Sequence, residues 1–394
     1  MRSSKVINSC NIYTALWCLI HLKGILYNAD IISVVFYGIV MVMSIYYFLK
    51  VILQNSSHPL LKSLNALTIW LVIYGVINIL FGGDVRTSWN IIPSDFYLKN
   101  ILNSILPIYA YYFFAQRGLI TKEWLIKVCI ILLFVGIGRY YLGIQKALAI
   151  RMVDSDEVTN NAGYIMLALM PLACFLNRRP ILQYSYLVIC FLFVVSAMKR
   201  GAILIGILCI ILFLASILSS VSRKQKITYL LLSAGIICVA YFFFVYMMDT
   251  NEYFVHRLDD TISGNSSQRD SLYAFFFNMM FNRNLFFILL GQGADTTIRL
   301  GPNYAHNDWL EIGVNQGLIG IAIYAIFFYQ LYKHWRTMPK KSIISTAIGM
   351  CFLILFGRSL VSMSVNSIEI YISIVIGYSI ACARNKQLLN DCTA

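Results

Sequence analysis

Residues 303–320 read NYAHNDWLEIGVNQGLIG and place a group of polar side chains at the start of an apolar segment. Asp308 can cap the start of a helix, with Glu311 three residues later reaching back to the free N–H groups of its first turn. The helix would carry a small-residue face made of Gly313, Gly317 and Gly320. Such a face lets a neighbouring membrane helix approach closely. His306 would lie just before this helix, at the membrane surface, and we expect the chemistry of the protein here.

The composition of the chain indicates that this helix belongs to an integral membrane protein. Of 394 residues, 59% are hydrophobic and only 12% are charged, and the mean hydropathy is +0.73. A soluble fold of this size could not cover so much apolar surface. The net charge of +14 does not indicate a nucleic-acid partner, because the cations are scattered between apolar segments. The sequence therefore predicts an all-α, polytopic helical bundle in the lipid bilayer.

Apolar segments recur along the chain at lengths that suit membrane spans, which need roughly 17–25 residues. We predict about twelve, at residues 12–28, 31–53, 64–82, 100–116, 124–143, 162–177, 181–197, 201–219, 227–248, 312–332, 342–358 and 365–383. They divide the chain into an N-terminal bundle of about nine helices (1–248), an outer catalytic loop (249–311), and the last helices with a cytoplasmic tail (312–394).

The positions of lysine and arginine predict the orientation of these spans. With the N-terminus inside, more than half of the 31 cations fall in short inner connections, such as residues 117–127, 223–226 and 333–341. The bias favours cytoplasmic N- and C-termini and an even number of helices. It places His58 and His334 on the inner side and His306 outside.

The longest polar segment, Asp249–Ala305, is then an outer loop. Within it, Ser271–Leu290 is apolar but is interrupted by Asn278 and by residues 282–284. If this segment crossed the membrane, His306 would move to the inner side, against the charge bias. We therefore predict an interfacial or re-entrant amphipathic helix.

The polar stretch also resembles a known signature. The pattern HNxxLE at residues 306–311, followed by GxxG at 317–320, is similar to that of the bacterial O-antigen ligase and O-antigen polymerase superfamily. In that family, too, the pattern ends a long loop late in a multi-spanning chain. The resemblance implies an inverting glycosyltransferase of the bacterial cytoplasmic (inner) membrane, with its active site on the periplasmic face. It implies a polyprenyl-diphosphate-linked glycan donor and no metal, cofactor or nucleotide sugar.

Sugar transfer of this kind needs a base that takes the proton of the attacking hydroxyl. Histidine suits the task because its ordinary pKa lies near neutral. The chain has five histidines, and only His256 and His306 fall in the outer loop. We predict His306 as the general base, with Asn307 beside it in the substrate-binding site.

The departing diphosphate needs cations, and arginine binds phosphate oxygens through two parallel hydrogen bonds. Arg200, in SAMKRG at residues 196–201, resembles the family's serine–arginine–glycine motif with two residues, Met198 and Lys199, inserted. The insertion leaves open whether Lys199 shares the role. Arg269 matches the family's loop arginine, and the alternative for it is a salt bridge with Asp270.

Two further arginines lie near the predicted outer ends of apolar spans, where charges are costly and tend to be functional. They are Arg139, in GIGRYYLG, and Arg358, in LFGRSLV. Both could line the same substrate-binding cavity.

A metal site is the alternative use of the acidic cluster formed by Asp154, Asp156 and Glu157. Two carboxylates two residues apart are common by chance, and no other metal signature accompanies them. We therefore predict no metal.

The preferred interpretation is a polymerase that transfers an oligosaccharide from undecaprenyl diphosphate to a hydroxyl of another lipid-linked unit, with a chain-length regulator as a further partner. A ligase would use lipid A-core as the acceptor, and the motif does not separate the two. A flippase or other transporter is the alternative from another class. It should show charges deep in several spans and helices broken at the midplane, whereas the charged residues singled out above gather at the outer face.

Overall fold

The computed structural model describes residues 8–54, 57–87, 91–150, 161–177, 179–220, 223–250, 269–340 and 342–385, together with isolated positions between 250 and 269. The acidic cluster Asp154, Asp156 and Glu157 lies outside the described residues, as does His256. Most of the predicted outer loop between Asp249 and Arg269 also lies outside the described residues.

The described chain is almost entirely helical. Its α-helices are α1 (Ser9–His21), α2 (Asp30–Leu53), α3 (Pro59–Ile77), α4 (Phe96–Gln116), α5 (Lys122–Ile150), α6 (Ala162–Leu169), α7 (Pro180–Ser196), α8 (Arg200–Ser220), α9 (Arg223–Thr250), α10 (Arg269–Phe281), α11 (Leu285–Leu290), α12 (Thr296–Leu300), α13 (Asp308–Thr337), α14 (Ile343–Val361) and α15 (Ile370–Arg384). A π-helical turn, Asn78–Gly82, continues α3, and a 3₁₀ segment, Met170–Leu176, continues α6. A 3₁₀ turn, Val365–Ser367, separates α14 from α15. Two-residue strands, β1 (Val85–Arg86) and β2 (Ile91–Ile92), pair antiparallel.

The prediction of an all-α membrane protein is confirmed at this level. Among the described residues, 7 helices are long and apolar enough to cross a bilayer: α2, α3 with its π turn, α5, α8, α9, α13 and α14. The predicted segments 162–177, 181–197 and 365–383 coincide with apolar helices of 10–17 residues. The count of about twelve spans remains a prediction.

The centre of the bundle is the short helix α15. Its residues from Ile370 to Cys382 are all buried, as expected for a helix that is apolar on every side. It crosses α4 so closely that a side chain at Gly377 would come within 2.7 Å of the backbone at Ile108 and Tyr112. On α9, by contrast, Leu231 and Phe242 are each 69% exposed, which suits a surface in contact with lipid.

The predicted cap of α13 is wrong in detail. The N-cap is Asn307, whose side-chain oxygen accepts the N–H groups of Trp309 (2.9 Å) and Leu310 (3.2 Å). Asp308 is instead fully buried and bonds elsewhere. Glu311 does reach back, because it accepts the N–H of Ala305 at 2.9 Å. The histidine motif is therefore fixed on both sides of His306.

Gly317, on the glycine face of α13, packs against α11 and the segment that follows it. Gly317 interrupts α13 with φ 69° and ψ −168°, a conformation that favours glycine. A side chain there would meet the backbone of Leu289 at 2.4 Å. Just beyond Leu289, the N–H groups of Gln292 and Gly293 donate to the carbonyls of residues 314 and 315 at 3.0 and 2.9 Å. The break is therefore filled by the segment that follows α11.

The apolar segment 271–290 forms two helices rather than one. α10 has 13 residues and α11 has 6, each too short to cross a bilayer. Asn284 starts the second helix by accepting the N–H of Phe287 at 3.1 Å. Phe275 and Phe286 are 43% and 62% exposed, so apolar surface remains available for the interfacial placement that the sequence predicts.

Candidate functional site

His306 occupies a constrained turn directly before the N-cap of α13. Its φ is 51°, a left-handed conformation that a non-glycine residue adopts at a cost of roughly 1–3 kcal/mol and that often marks functional sites. The hydroxyl of Tyr273, on α10, donates to its carbonyl at 3.4 Å. Neighbouring contacts at Ala305 and Asn307 hold the same turn.

The surroundings of His306 are cationic. Burial, and then the charges of Lys199 and Arg269, lower the pKa of this histidine from its ordinary 6.5 to about 4. A lowered pKa keeps the imidazole neutral at pH 7. A neutral imidazole that senses the charges of two cations can accept a proton beside a bound anion.

The turn after α14, residues 360–367, organises these groups. The carbonyl of Leu360 accepts the side-chain amide of Asn307 at 3.0 Å. The next carbonyl, of Val361, accepts the guanidinium of Arg269, also at 3.0 Å. The base motif and the loop arginine therefore bind adjacent carbonyls of a single turn. Arg269 and Asp270, both described, form no salt bridge with each other.

Asp308 also stabilises this turn through hydrogen bonds. Its carboxylate accepts the N–H of Ser364 at 2.9 Å, the N–H of Val365 at 3.1 Å and the hydroxyl of Tyr324 at 2.6 Å. Sequence reasoning missed the turn. The available signal was a serine-rich break, SLVSMSVNS at residues 359–367, between two apolar spans.

The two inserted residues of the arginine motif, Met198 and Lys199, form the turn that precedes α8. Met198 has φ 52° and forms the turn that leads into α8, where the carbonyl of Lys199 accepts the N–H of Ile203 at 3.0 Å. Arg200 is the first residue of that helix. A side chain at Gly201 would lie 2.7 Å from Val361 and 2.9 Å from the hydroxyl of Tyr164. Gly201, next to Arg200, thus packs against the same turn that binds Arg269, and the charge of Lys199 acts on His306.

Arg358 lies deeper in the site. Its guanidinium covers the ring of Tyr164 at 4.5 Å and donates to the carbonyl of Ser367 at 3.0 Å. The side chain is only 8% exposed, and its Nε has no hydrogen-bond partner among the described residues. The charges of Glu369 and of Asp308 both act on it, so Arg358 is linked to the N-terminal end of α15 as well as to the histidine motif.

Arg139 has a different environment. It forms an ion pair with Glu369, and the two side chains are 19% and 13% exposed. The charge of Arg139 is therefore already balanced by Glu369, the N-cap residue of α15. The structure links Arg139 to the core helix rather than to His306.

A buried polar network behind the motif was also missed by sequence reasoning. The carboxylate of Glu311 accepts the hydroxyl of Thr297 and, at 3.1 Å, the side-chain amide of Asn315. With the N–H of Ala305, these donors occupy both oxygens. Glu311 therefore acts as a positioning residue for the turn that carries His306.

Asp295 continues this network toward α3. It accepts the amide of Asn78 at 3.1 Å, and burial raises its pKa to about 6 although Arg299 and Asn78 act in the opposite direction. Arg299 in turn donates to the carbonyl of Gly83 at 2.8 Å. These contacts tie the segment after α11 to the end of α3.

A groove of about 330 Å³ opens beside His306. It is lined by Tyr273, Ala274, Phe277, Asn278 and Leu310. Four of these residues are on α10, and Leu310 is on the first turn of α13.

Within the described ranges, no three His, Cys, Asp or Glu side chains are grouped so as to hold a metal ion. Because the predicted acidic cluster lies outside those ranges, independence from metal stays a prediction. The sequence matches no protein-family model and no curated protein.

Proposed function

We propose that the protein is an inverting membrane glycosyltransferase that uses a glycan linked to undecaprenyl diphosphate. The observation that carries the proposal is the shared turn beside His306, where adjacent carbonyls of Leu360 and Val361 bind Asn307 and Arg269. Burial and the charges of Lys199 and Arg269 lower the pKa of the histidine there. A base beside two cations is the arrangement needed to deprotonate a hydroxyl next to a diphosphate. The resemblance of residues 306–320 to the O-antigen ligase and polymerase superfamily supports the same interpretation.

In the proposed reaction, His306 takes the proton of an acceptor hydroxyl as its oxygen attacks the anomeric carbon of the donor sugar. The bond between that carbon and the phosphate oxygen breaks, and the electron pair leaves with the diphosphate. Arg269, Lys199 and Arg200 hold the leaving anion, which needs no proton. Arg358 stabilises the turn beneath them, and Asn307 orients the base.

We favour a polymerase, for which the acceptor is a second lipid-linked oligosaccharide and a chain-length regulator is a further partner. A ligase that uses lipid A-core as the acceptor is the closest alternative. In both cases the protein lies in the bacterial cytoplasmic membrane with residues 303–307 on the outer face.

One observation favours a second class, that of transporters. α13 is broken at Gly317, and transporters often bind their substrates at broken helices. The backbone groups exposed by this break are, however, taken up by Gln292 and Gly293 of the same chain. A break filled in this way supports the anchoring of a loop better than the binding of a transported solute.

Reconstitution tests the proposal directly. We expect the purified protein in nanodiscs, given undecaprenyl-diphosphate-linked repeat units extracted from producing cells, to lengthen the glycan and release undecaprenyl diphosphate. Ligation only when lipid A-core is added would identify the ligase.

The same assay tests two alternatives. Turnover should survive EDTA. If EDTA abolishes turnover and Mg²⁺ restores it, a metal site in residues 154–157 would be supported instead. Movement of the intact lipid-linked glycan across a vesicle membrane, without glycosidic bond formation, would overturn the proposal in favour of a flippase.

A further inference from the structure

We infer that the groove between α10 and the first turn of α13 binds the acceptor saccharide, an inference that rests on the proposed function. The groove is formed by Tyr273, Ala274, Phe277, Asn278 and Leu310. Its position, its charge and its chemistry each favour this occupant.

The position of the groove is tied to the base. Tyr273 forms part of its wall and donates to the carbonyl of His306 at 3.4 Å. Leu310, on the other side, lies in the first turn of α13, only four residues after the histidine. A sugar in the groove would therefore lie beside the turn that carries the imidazole, within the short reach that general base catalysis requires.

The charge of the groove separates it from the donor diphosphate. Its lining contains no lysine, arginine, histidine, aspartate or glutamate. Arg269, which faces His306, precedes Tyr273 by one turn of α10. The phosphates would bind at the start of α10 and a neutral ligand one turn farther on, so that His306 lies between the two substrates.

The lining combines ring faces with an amide. Tyr273 and Phe277 are four residues apart and therefore neighbours on one face of α10, and Phe277 is 56% exposed. The small side chain of Ala274 leaves the space between them and Leu310 open. Asn278 is exposed, and its side-chain amide has no hydrogen-bond partner within the described residues. The groove is shallow and open, and it combines ring faces with one polar group as the linings of small-molecule sites do.

The amide also distinguishes a sugar from the polyprenyl tail of the donor. An alkyl chain in the groove would displace water from Asn278 without replacing its hydrogen bonds, which is unfavourable. A saccharide offers hydroxyls to the amide and C–H faces to the rings. The lipid tail is therefore the competing occupant that an experiment must exclude.

The test measures binding separately from turnover. The probe is the free repeat-unit oligosaccharide released by mild acid from the lipid-linked pool of producing cells, and saturation-transfer NMR monitors its binding to the full-length protein in nanodiscs. We expect Phe277→Leu and Asn278→Ala each to weaken binding by about two- to tenfold, the usual range for one ring contact or one hydrogen bond. Phe277→Tyr should bind normally. Phe286→Leu, a control at an exposed phenylalanine on α11, should match the wild type.

The outcomes separate this inference from the proposed function. If the wild type polymerises glycan but Phe277→Leu binds the oligosaccharide as well as Phe286→Leu does, the acceptor site is elsewhere and the inference is overturned. Failure of the wild type to bind the oligosaccharide overturns it as well. The groove would instead be assigned to the lipid by a different result. In that case Phe277→Ala, but not Phe277→Leu, would lose binding of undecaprenyl phosphate, and binding of the oligosaccharide would be unchanged in both variants. Absence of glycan transfer by a wild-type protein that binds the oligosaccharide in the groove would count against the proposed function alone.

Discussion

The two ends of α13 each carry a histidine, and their surroundings differ. His334, near the C-terminal end, is 5% exposed, its Nε2 lies 3.1 Å from the hydroxyl of Ser379, and its ring packs against His58 at 5.1 Å. His306, before the N-terminal end, is half-buried in a left-handed turn and faces Lys199 and Arg269. One ring is packed among helices, whereas the other borders an open groove.

This difference shows that residue type alone does not define a site. Both histidines are held by hydrogen bonds and both lie on or beside one helix. Only His306 combines access to a groove, nearby cations and a constrained backbone. The following predictions test whether that contrast is functional.

The largest expected effect concerns the side of the membrane that each end faces. The positive-inside bias predicts that a reporter fused near Gly264 is exported, whereas fusions near Lys224, Lys340 and the C-terminus remain cytoplasmic. Paired alkaline phosphatase and green fluorescent protein fusions measure this as an all-or-none result. A cytoplasmic Gly264 fusion would place His306 on the inner side and remove the basis of the proposed site.

The second prediction compares the two histidines by mutation. His306→Ala should reduce turnover by roughly 10²–10⁴-fold, the usual range for loss of a general base. Donor binding should change little, because Arg269 and Lys199 remain. The measurement is glycan transfer in nanodiscs, normalised to folded protein.

His334→Gln is the matched control. Glutamine keeps a hydrogen-bonding group opposite Ser379, so turnover per folded protein should stay near the wild-type value. Equal losses in the two variants, or a well-folded His306→Ala protein with normal product, would contradict the catalytic role of His306.

Much of the fold could be predicted because apolar segments in a membrane protein have a strong and simple pattern. The helix at residues 308–337 and the helical segments around it follow from hydropathy. The break at Gly317 could not be predicted, because the partner that fills it, residues 289–293, is distant in the sequence. The same reason explains why Asp308 was assigned to a cap: its partners at Ser364 and Val365 are more than fifty residues away.

Sequence patterns indicate candidate members of the site but not their arrangement. They point to His306, Arg200 and Arg269, and the structure binds Arg269 and Asn307, the neighbour of His306, to adjacent carbonyls. The turn at 360–367, which binds Asn307 and Arg269 through successive carbonyls, carries little side-chain signal because backbone atoms make the contacts. Arg139 met the same criterion as Arg358, and only the structure reveals its ion pair with Glu369.

The third prediction sharpens the role of the cations. Arg269→Lys keeps the charge but loses the planar fork that donates to the carbonyl of Val361 and that, in the proposed reaction, binds a phosphate. We expect the KM for the lipid-linked donor to rise about tenfold, as for the loss of one charge-assisted hydrogen bond. Arg283→Lys, at an exposed position between α10 and α11, is the control and should leave the KM unchanged. A higher KM in both variants would indicate a general effect of surface charge.

The smallest expected effect is a shift in pH dependence, and it isolates Lys199. The pKa of His306 is lowered to about 4 by burial, Lys199 and Arg269, so the base is neutral and active above that pH and is lost by protonation below it. Removing a nearby positive charge makes protonation easier. In Lys199→Met, the acid limb of kcat/KM, which reports the free enzyme, should therefore move to higher pH by up to about one unit. Lys199→Arg keeps the charge and should leave the limb in place, which separates electrostatics from packing. If the limb stays near pH 4 in Lys199→Met, burial and Arg269 alone set the pKa, and the two inserted residues of the arginine motif have no part in tuning the base.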